Sequence, residues 1–239
     1  MKDRAPFISV IIPTLNEEKY IERTLKALKT QDYGGKYEII AADGMSKDDT
    51  VKIARRYVDK VIIVEKKGIA AGRNAGARIA KGEILLFIDA DTMLLFNALS
   101  EISKAFRNKK IVGATCPIIP LTPKLNFLFF YWSLNRYVKS SIKKKKPKVA
   151  GICCAYRKST FEKVGGFDEK LETYEDMDLS GRISKFGKIA FVEGTLALTS
   201  VRRLKAWGTA KVVGKYATSH IRYLLTGKGM GIKEYKPVR

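Results

Sequence analysis

Residues 83–91 read EILLFIDAD, five apolar side chains from Ile84 to Ile88 that lead straight into the carboxylates Asp89 and Asp91. A short, unbroken apolar run suits a strand buried on both faces, as in a parallel sheet covered by helices. The same pattern occurs upstream in FISVII (7–12), YEIIAAD (37–43) and KVIIVE (60–65). Between these runs the periodicity becomes helical. Tyr20, Ile21, Leu25 and Leu28 share one helical face, with Asn16 expected as its cap and Glu17 and Glu18 in its first turn. Ser46 with Asp48 or Asp49 is expected to open a helix reaching Tyr57, and GIAAGRNAGARIAKG (68–82) reads as a helix of small residues. Strands alternating with helices at this spacing imply right-handed crossovers. The chain is therefore expected to be an α/β protein with an open, mostly parallel central sheet flanked by helices.

Beyond residue 110 the rhythm changes. IVGATCPIIP (111–120) is a strand broken by Pro117 and Pro120, and residues 124–142 form an aromatic-rich helix that runs into KKKKPK. VAGICCAYRK (149–158) is a strand, STFEKVGGF a short helix closed by Gly165 and Gly166, and YEDMDLSGRISKFG (174–187) a helix that begins in acids. IAFVEGTLALTSV supplies one or two more strands, residues 204–225 a basic helix and GKGMGIKEYKPVR a tail. No repeat or long linker divides the chain, so one domain is expected over 1–239.

The 239 residues carry 46 basic and 24 acidic side chains, a formal net charge of +22, with 46% hydrophobic and 10% aromatic residues. That apolar content fills a core and argues against disorder. The charge is uneven: residues 1–100 hold 17 basic and 14 acidic side chains, and residues 101–239 hold 29 and 10. A second half this basic points to nucleic acid, an anionic membrane surface or phosphorylated substrates. No apolar run approaches the roughly 18 residues of a membrane span. MKDRAPFISVIIP has no secretory signal pattern, and Cys116, Cys153 and Cys154 make neither a disulfide framework nor a C-x-x-C metal site. A reducing, cytoplasmic compartment is expected. The lone histidine, His220, disfavours a zinc hydrolase or a histidine-dependent triad.

In open α/β sheets, ligands sit outside the carboxyl ends of the strands. Those ends carry Pro13-Thr14-Leu15-Asn16-Glu17, Asp43-Gly44 and Asp89-Ala90-Asp91. Neither G-x-G-x-x-G nor G-x-x-x-x-G-K-[ST] is present, which disfavours dinucleotide and P-loop chemistry. Asp89 and Asp91, two apart at a strand end, can aim at one point, where they repel unless a cation joins them. A hard divalent ion, Mn2+ or Mg2+, suits carboxylate and phosphate oxygens. Arg73 and Asn74, on the small-residue helix, are expected to approach the same nucleotide.

P-T-x-N-E (13–17), D-G-x-S (43–46), R-N-x-G (73–76), D-A-D (89–91) and E-D-x-D-L-x-x-R (175–182) together resemble the family 2 glycosyltransferases of GT-A fold, in the family's order over roughly residues 7–195. The resemblance implies that Pro13, Thr14, Asn16, Glu17 and Asp43 line the nucleoside site. It implies that Asp91, supported by Asp89, holds a metal bridging the pyrophosphate of a sugar nucleotide, with UDP favoured and GDP possible. Asp176, of the pair Glu175 and Asp176, would be the general base on an acceptor hydroxyl, with inversion at the anomeric carbon. It also divides the single domain into a nucleotide-sugar half (1–110), an acceptor and catalytic half (111–200) and a basic C-terminal helix and tail (201–239). The chemistry is coherent: a divalent ion stabilises a departing nucleoside diphosphate, and a carboxylate takes the attacking hydroxyl's proton. The acids at 175–178 also suit a helix dipole, and Arg182 lies at i+4 from Asp178, where an ion pair is expected. Some family members carry a histidine after the last strands; this chain reads Leu198-Thr199-Ser200-Val201-Arg202-Arg203. Arg202 or Arg203 is expected to meet the diphosphate there, and His220 to be a surface or packing residue.

Phe127, Phe130, Tyr131, Leu134 and Val138 recur at helical spacing beside Arg136, Lys139, Lys143 to Lys146 and Lys148, with no acid among them. That pattern suits a helix on anionic lipid, so a peripheral enzyme on the cytoplasmic face of the cell membrane is expected, with a lipid-linked or glycan acceptor. The plainer alternative packs the aromatic residues in the core and leaves the lysines solvated. A polyprenyl phosphate acceptor would already be anionic and need no base. Two rival classes are a nucleotidyltransferase making a sugar nucleotide and a nucleic-acid-binding protein. The first has no use for the E-D-x-D-L-x-x-R helix and the second lacks a binding motif, so no nucleic-acid partner is expected.

Overall fold

The computed structural model describes residues 4–231 and 238, so the end of the tail, with Lys233, Glu234 and Lys236, lies outside the described residues. Four parallel strands form the first half: β1 (Ile8–Thr14), β2 (Tyr37–Asp43), β3 (Lys60–Ile63) and β4 (Ile84–Ile88). Helices α1 (Ile21–Lys29), α2 (Thr50–Ala54) and α3 (Ile69–Ile79) connect them. The chain continues through β5 (Thr92–Leu94), α4 (Ala98–Phe106), β6 (Ile111–Thr115), β7 (Ile118–Pro120) and α5 (Leu125–Lys143). Next come β8 (Cys153–Arg157), α6 (Lys158–Lys163), α7 (Glu175–Ile183), β9 (Lys188–Phe191), β10 (Ala197–Thr199), α8 (Arg202–Trp207) and α9 (Thr209–Thr226).

Seven strands make one sheet in the order β3-β2-β1-β4-β8-β6-β9, and β5-β10-β7 make a smaller second sheet. The large sheet is mostly parallel, with β8 inserted antiparallel between β4 and β6. Side chains alternate across it. Ile8, Val10 and Ile12 of β1 and Ile84, Leu86 and Ile88 of β4 join one core with α1 and α4. Ile11, Leu85 and Phe87 join the other, beneath α3, α6 and α7. Both faces are covered, which is why these strands read as unbroken apolar runs.

Three local expectations are corrected. Asn16 does not cap α1: it is left-handed (φ 54°), its amide oxygen accepts the Lys47 N–H at 2.8 Å, and the helix begins at Ile21. The basic helix is two helices, because Gly208 at φ 77° breaks it between α8 and α9. Of the strand expected over 149–158, only Cys153–Arg157 pairs. Residues 149–152 turn toward the strand ends, where Asp89 N donates to Ile152 O at 3.2 Å.

Small residues let α3 lie close against β1. A Cβ at Gly72 would sit 3.3 Å from that of Pro13, and one at Gly76 only 2.5 Å from Ile11 Cγ2. Gly76→Ala should therefore destabilise the protein by about 1–3 kcal/mol through overpacking. Gly34→Ala, with nothing within 4 Å, should be close to neutral. Denaturant midpoints that fall equally for both variants would contradict this packing.

Candidate functional site

The loops after β1 and β2 are laced together. Thr14 Oγ1 donates to Asp43 Oδ1 (2.9 Å), as does Ser46 Oγ (2.6 Å), while the Ser46 N–H donates to Asp43 Oδ2 (2.8 Å). Gly44 N bonds Thr14 O (2.8 Å), Asn16 N bonds Ser46 Oγ (2.8 Å) and Glu17 N bonds Thr50 Oγ1 (2.7 Å). Pro13, Thr14, Asn16, Glu17 and Asp43 thus form one rim at the carboxyl ends of adjacent strands.

At the next strand end, Asp91 and Glu17 converge on Arg202, the first residue of α8. The guanidinium makes a two-pronged contact with Glu17 (2.6 and 2.8 Å), and its Nε lies 3.0 Å from Asp91 Oδ2. Its plane lies 4.8 Å over Tyr20. Arg202, not Arg203, is therefore the arginine at the acidic cluster. Burial pushes the Asp91 carboxyl up to about 6; Asp89 and Glu17 add to the rise, and Arg202 only partly opposes it. Asp89 and Asp91 present hard oxygen donors two residues apart at the end of β4, a donor set that a divalent cation fits. Among the described residues no three His, Cys, Asp or Glu side chains gather as a ready cation cage. Asp89 and Asp91 would supply the protein's share of the ligands and a diphosphate the rest.

Arg73 lies beneath, 1% exposed. Nη1 donates to Glu175 Oε1 (2.8 Å), and Nη2 donates to Asp89 Oδ1 (3.1 Å) and Gly151 O (3.0 Å). Its guanidinium also faces the Phe167 ring at 5.1 Å. Burial works against this charge, but Asp89 and Glu175 outweigh it and keep the guanidinium firmly protonated. In place of the expected approach to a nucleotide, the contacts of Arg73 tie Asp89, Gly151 and Glu175 together from below. Asn74 behaves likewise. Its amide accepts from Phe167 N (3.0 Å) and donates to Phe167 O (2.9 Å) and Glu169 Oε1 (2.8 Å), pinning the turn after α6.

Glu175 and Asp176 open α7. Glu175 is buried; desolvation, then the Asp176 charge, pushes its carboxyl up to about 7 against Arg73. Asp176 is less enclosed. Its Oδ2 accepts the Gly151 N–H (2.6 Å) and its Oδ1 the Met177 N–H (2.7 Å). Burial raises its pKa while Arg73 and these amides oppose the rise. The expected Arg182–Asp178 pair is present at 2.7 Å.

Gly151, Tyr20 and Lys148 escaped sequence reasoning. Gly151 contacts Arg73 and Asp176 through its backbone alone, and a Cβ there would fall 2.5 Å from Arg73 Nη2. No motif marks such a glycine. Lys148 lies over the Tyr174 and Tyr223 rings at 5.1 and 5.9 Å, its pKa lowered by burial. His220 packs against α7, its Nδ1 2.5 Å from the Tyr174 hydroxyl.

The raised carboxyls set a pH dependence. Between the ordinary carboxylate value of about 4 and the elevated folded values, the native protein holds protons that the unfolded chain has released. Stability therefore falls as pH rises toward about 6 for Asp91 and about 7 for Glu175. Without divalent cations, the loss of melting temperature from acid to neutral pH should be smaller in Asp91→Asn than in the unsubstituted protein. Equal losses would contradict the assignment.

The amino-acid sequence matches glycosyl transferase family 2 over residues 9–165. Glycosyltransferase AglE of Haloferax volcanii is 39% identical over 98 residues, 38% of this chain and 32% of that protein. Beta-monoglucosyldiacylglycerol synthase of Trichormus variabilis is 25% identical over 203 residues, 77% of this chain and 42% of that protein. The chain thus spans less than half the length of these two relatives. Among solved structures, mannosyltransferase PcManGT from Pyrobaculum calidifontis, in complex with GDP-Man and Mn2+, aligns with a TM-score of 0.70 and 22% identity, over 99% of this chain and 68% of that one. That likeness is one of fold, the GT-A fold.

Proposed function

Because the chain belongs to glycosyl transferase family 2, we propose that it moves a sugar from a nucleotide-sugar donor to a membrane-associated or lipid-linked acceptor, with inversion. The observation that carries this proposal is the convergence of Glu17, Asp89, Asp91 and Glu175 on two arginines near the carboxyl ends of β1 and β4. A neutral half-site has no use for so many partly buried acids, whereas a cation carrying a diphosphate does.

The rim of Pro13, Thr14, Asn16, Glu17 and Asp43 receives the nucleoside, UDP or GDP. Asp91 and Asp89 would hold Mn2+ or Mg2+, which would supply Lewis-acid stabilisation to a departing diphosphate. Arg202 offers a guanidinium to the same phosphates. The acceptor oxygen attacks the anomeric carbon from the face opposite the leaving group. As the bond to the diphosphate breaks, the nucleoside diphosphate takes the electron pair. Asp176 takes the hydroxyl proton, its orientation set by the Gly151 and Met177 amides. Glu175, buried on Arg73, is a positioning residue. The likeness to beta-monoglucosyldiacylglycerol synthase of Trichormus variabilis and the basic second half support an acceptor at a membrane. No helix among the described residues is long and apolar enough to cross one, and peripheral attachment at a cytoplasmic face is our proposal.

With UDP- and GDP-sugars screened in the presence of Mn2+ or Mg2+, nucleoside diphosphate should be released. Asp91→Asn should lower kcat/KM by about a thousandfold, the loss of several kcal/mol of charge stabilisation. Pyrophosphate release instead would identify a nucleotidyltransferase and sink the proposal. Asp176→Asn should cost about 10²–10⁴ in kcat with a hydroxyl acceptor. A loss much smaller than that of Asp91→Asn would indicate an acceptor that is already anionic, such as a polyprenyl phosphate.

A further inference from the structure

Helix α5 has two apolar faces. The face expected on lipid is instead packed inward, with Phe127, Tyr131 and Val138 buried, while Leu125, Leu128, Phe129 and Trp132, at i, i+3, i+4 and i+7, are exposed, Leu125 by 86%. Helix α9 repeats the arrangement. Val212 and Ser219 are buried, and Val213, Ile221, Leu224 and Leu225 are exposed, Leu225 by 80%. Two such stripes exceed the scattered exposed leucines of an ordinary surface. The helices touch: the Phe130 and Tyr216 rings lie 6.3 Å apart, and Asn126 Nδ2 donates to Thr209 Oγ1 at 3.5 Å. The two helices thus pack along one seam, and each carries its own exposed apolar stripe.

The surroundings are basic. Residues 121–148 contain eight Lys or Arg and no Asp or Glu, and no acid occurs from 194 to 233. A second copy of this face would bring like charges together, and nucleic acid has no need of aliphatic stripes. An anionic bilayer meets both requirements, with headgroups for the lysines and acyl chains for the apolar side chains. The inner face of α9 leads to the catalytic wall. Ser219 pairs with Thr173 (2.9 Å), His220 with Tyr174 (2.5 Å), and Tyr223 donates to Asp178 Oδ1 (2.6 Å), all within or beside the first turn of α7.

We propose that the α5–α9 pair is a bilayer-docking platform, inserting its two apolar stripes into an anionic leaflet and setting the start of α7, with Asp176, beside the membrane surface. This rests on the proposed membrane-associated acceptor, and it is tested without donor or acceptor. The full chain should co-float with vesicles of phosphatidylcholine containing about a third phosphatidylglycerol, less so in high salt, and not with pure phosphatidylcholine. Phe129→Ser/Trp132→Ser and Leu224→Ser/Leu225→Ser, at exposed positions, should each lower partitioning about tenfold or more with melting temperature unchanged. Trp132 emission should shift to the blue on anionic vesicles, and Trp132→Phe should remove the shift. Asp91→Asn should float like the unsubstituted protein, so loss of turnover and loss of docking are separable. Absence of flotation would overturn the platform. So would flotation indifferent to both paired variants, a dimer that those variants dissolve, or RNA binding in place of vesicle binding.

Discussion

The guanidinium of Arg73 is the point on which the site depends. It sits in the protein interior, yet it reaches the end of β4 at Asp89, the start of α7 at Glu175 and the backbone oxygen of Gly151. Those segments lie far apart in the chain, and without a shared cation their acids would repel each other. A buried ion pair returns little net stability, because desolvation offsets most of the attraction. Removing one partner, in contrast, leaves an uncompensated charge in the interior. Arg73 is therefore better understood as a device that fixes geometry than as a source of stability. The Nε of Arg73 is buried without a hydrogen-bond partner, a cost consistent with that role.

A second arginine meets the neighbouring acids: Arg202 pairs with Glu17 and Asp91, and burial, more than the nearby acids, raises the Asp91 carboxyl. Each arginine has a raised carboxyl beside it, Asp91 at Arg202 and Glu175 at Arg73, because burial penalises the charged form in both places. Arg202 reaches its acids from the start of α8, which leads directly into α9.

Much of this was legible from residue order alone. Unbroken apolar runs mark doubly covered strands, and turn residues at their carboxyl ends mark the rim, because both follow from local periodicity. The stretch Arg202-Arg203 was also visible as a cation near the strand ends, but that Arg202 is the one paired with Glu17 and Asp91 was not. Gly151, Tyr20 and Lys148 were not. Gly151 acts through its backbone, Tyr20 through its ring plane under Arg202, and Lys148 through rings on distant helices. None of these roles leaves a spacing to detect. Arg73 and Asn74 show the converse failure: their motif was visible, but whether a helical side chain faces ligand or core depends on how closely the helix approaches the sheet.

The sequence by itself determined the α/β alternation, the strand-end acids and the split between a near-neutral and a strongly basic half. Each is a property of composition and period that neighbouring residues suffice to express. The tertiary structure decided which acids share an arginine, that β8 runs antiparallel between β4 and β6, and that α5 and α9 each leave an apolar stripe exposed. Those outcomes depend on distances between segments remote in the chain, and charge pairing, desolvation and burial act on such distances.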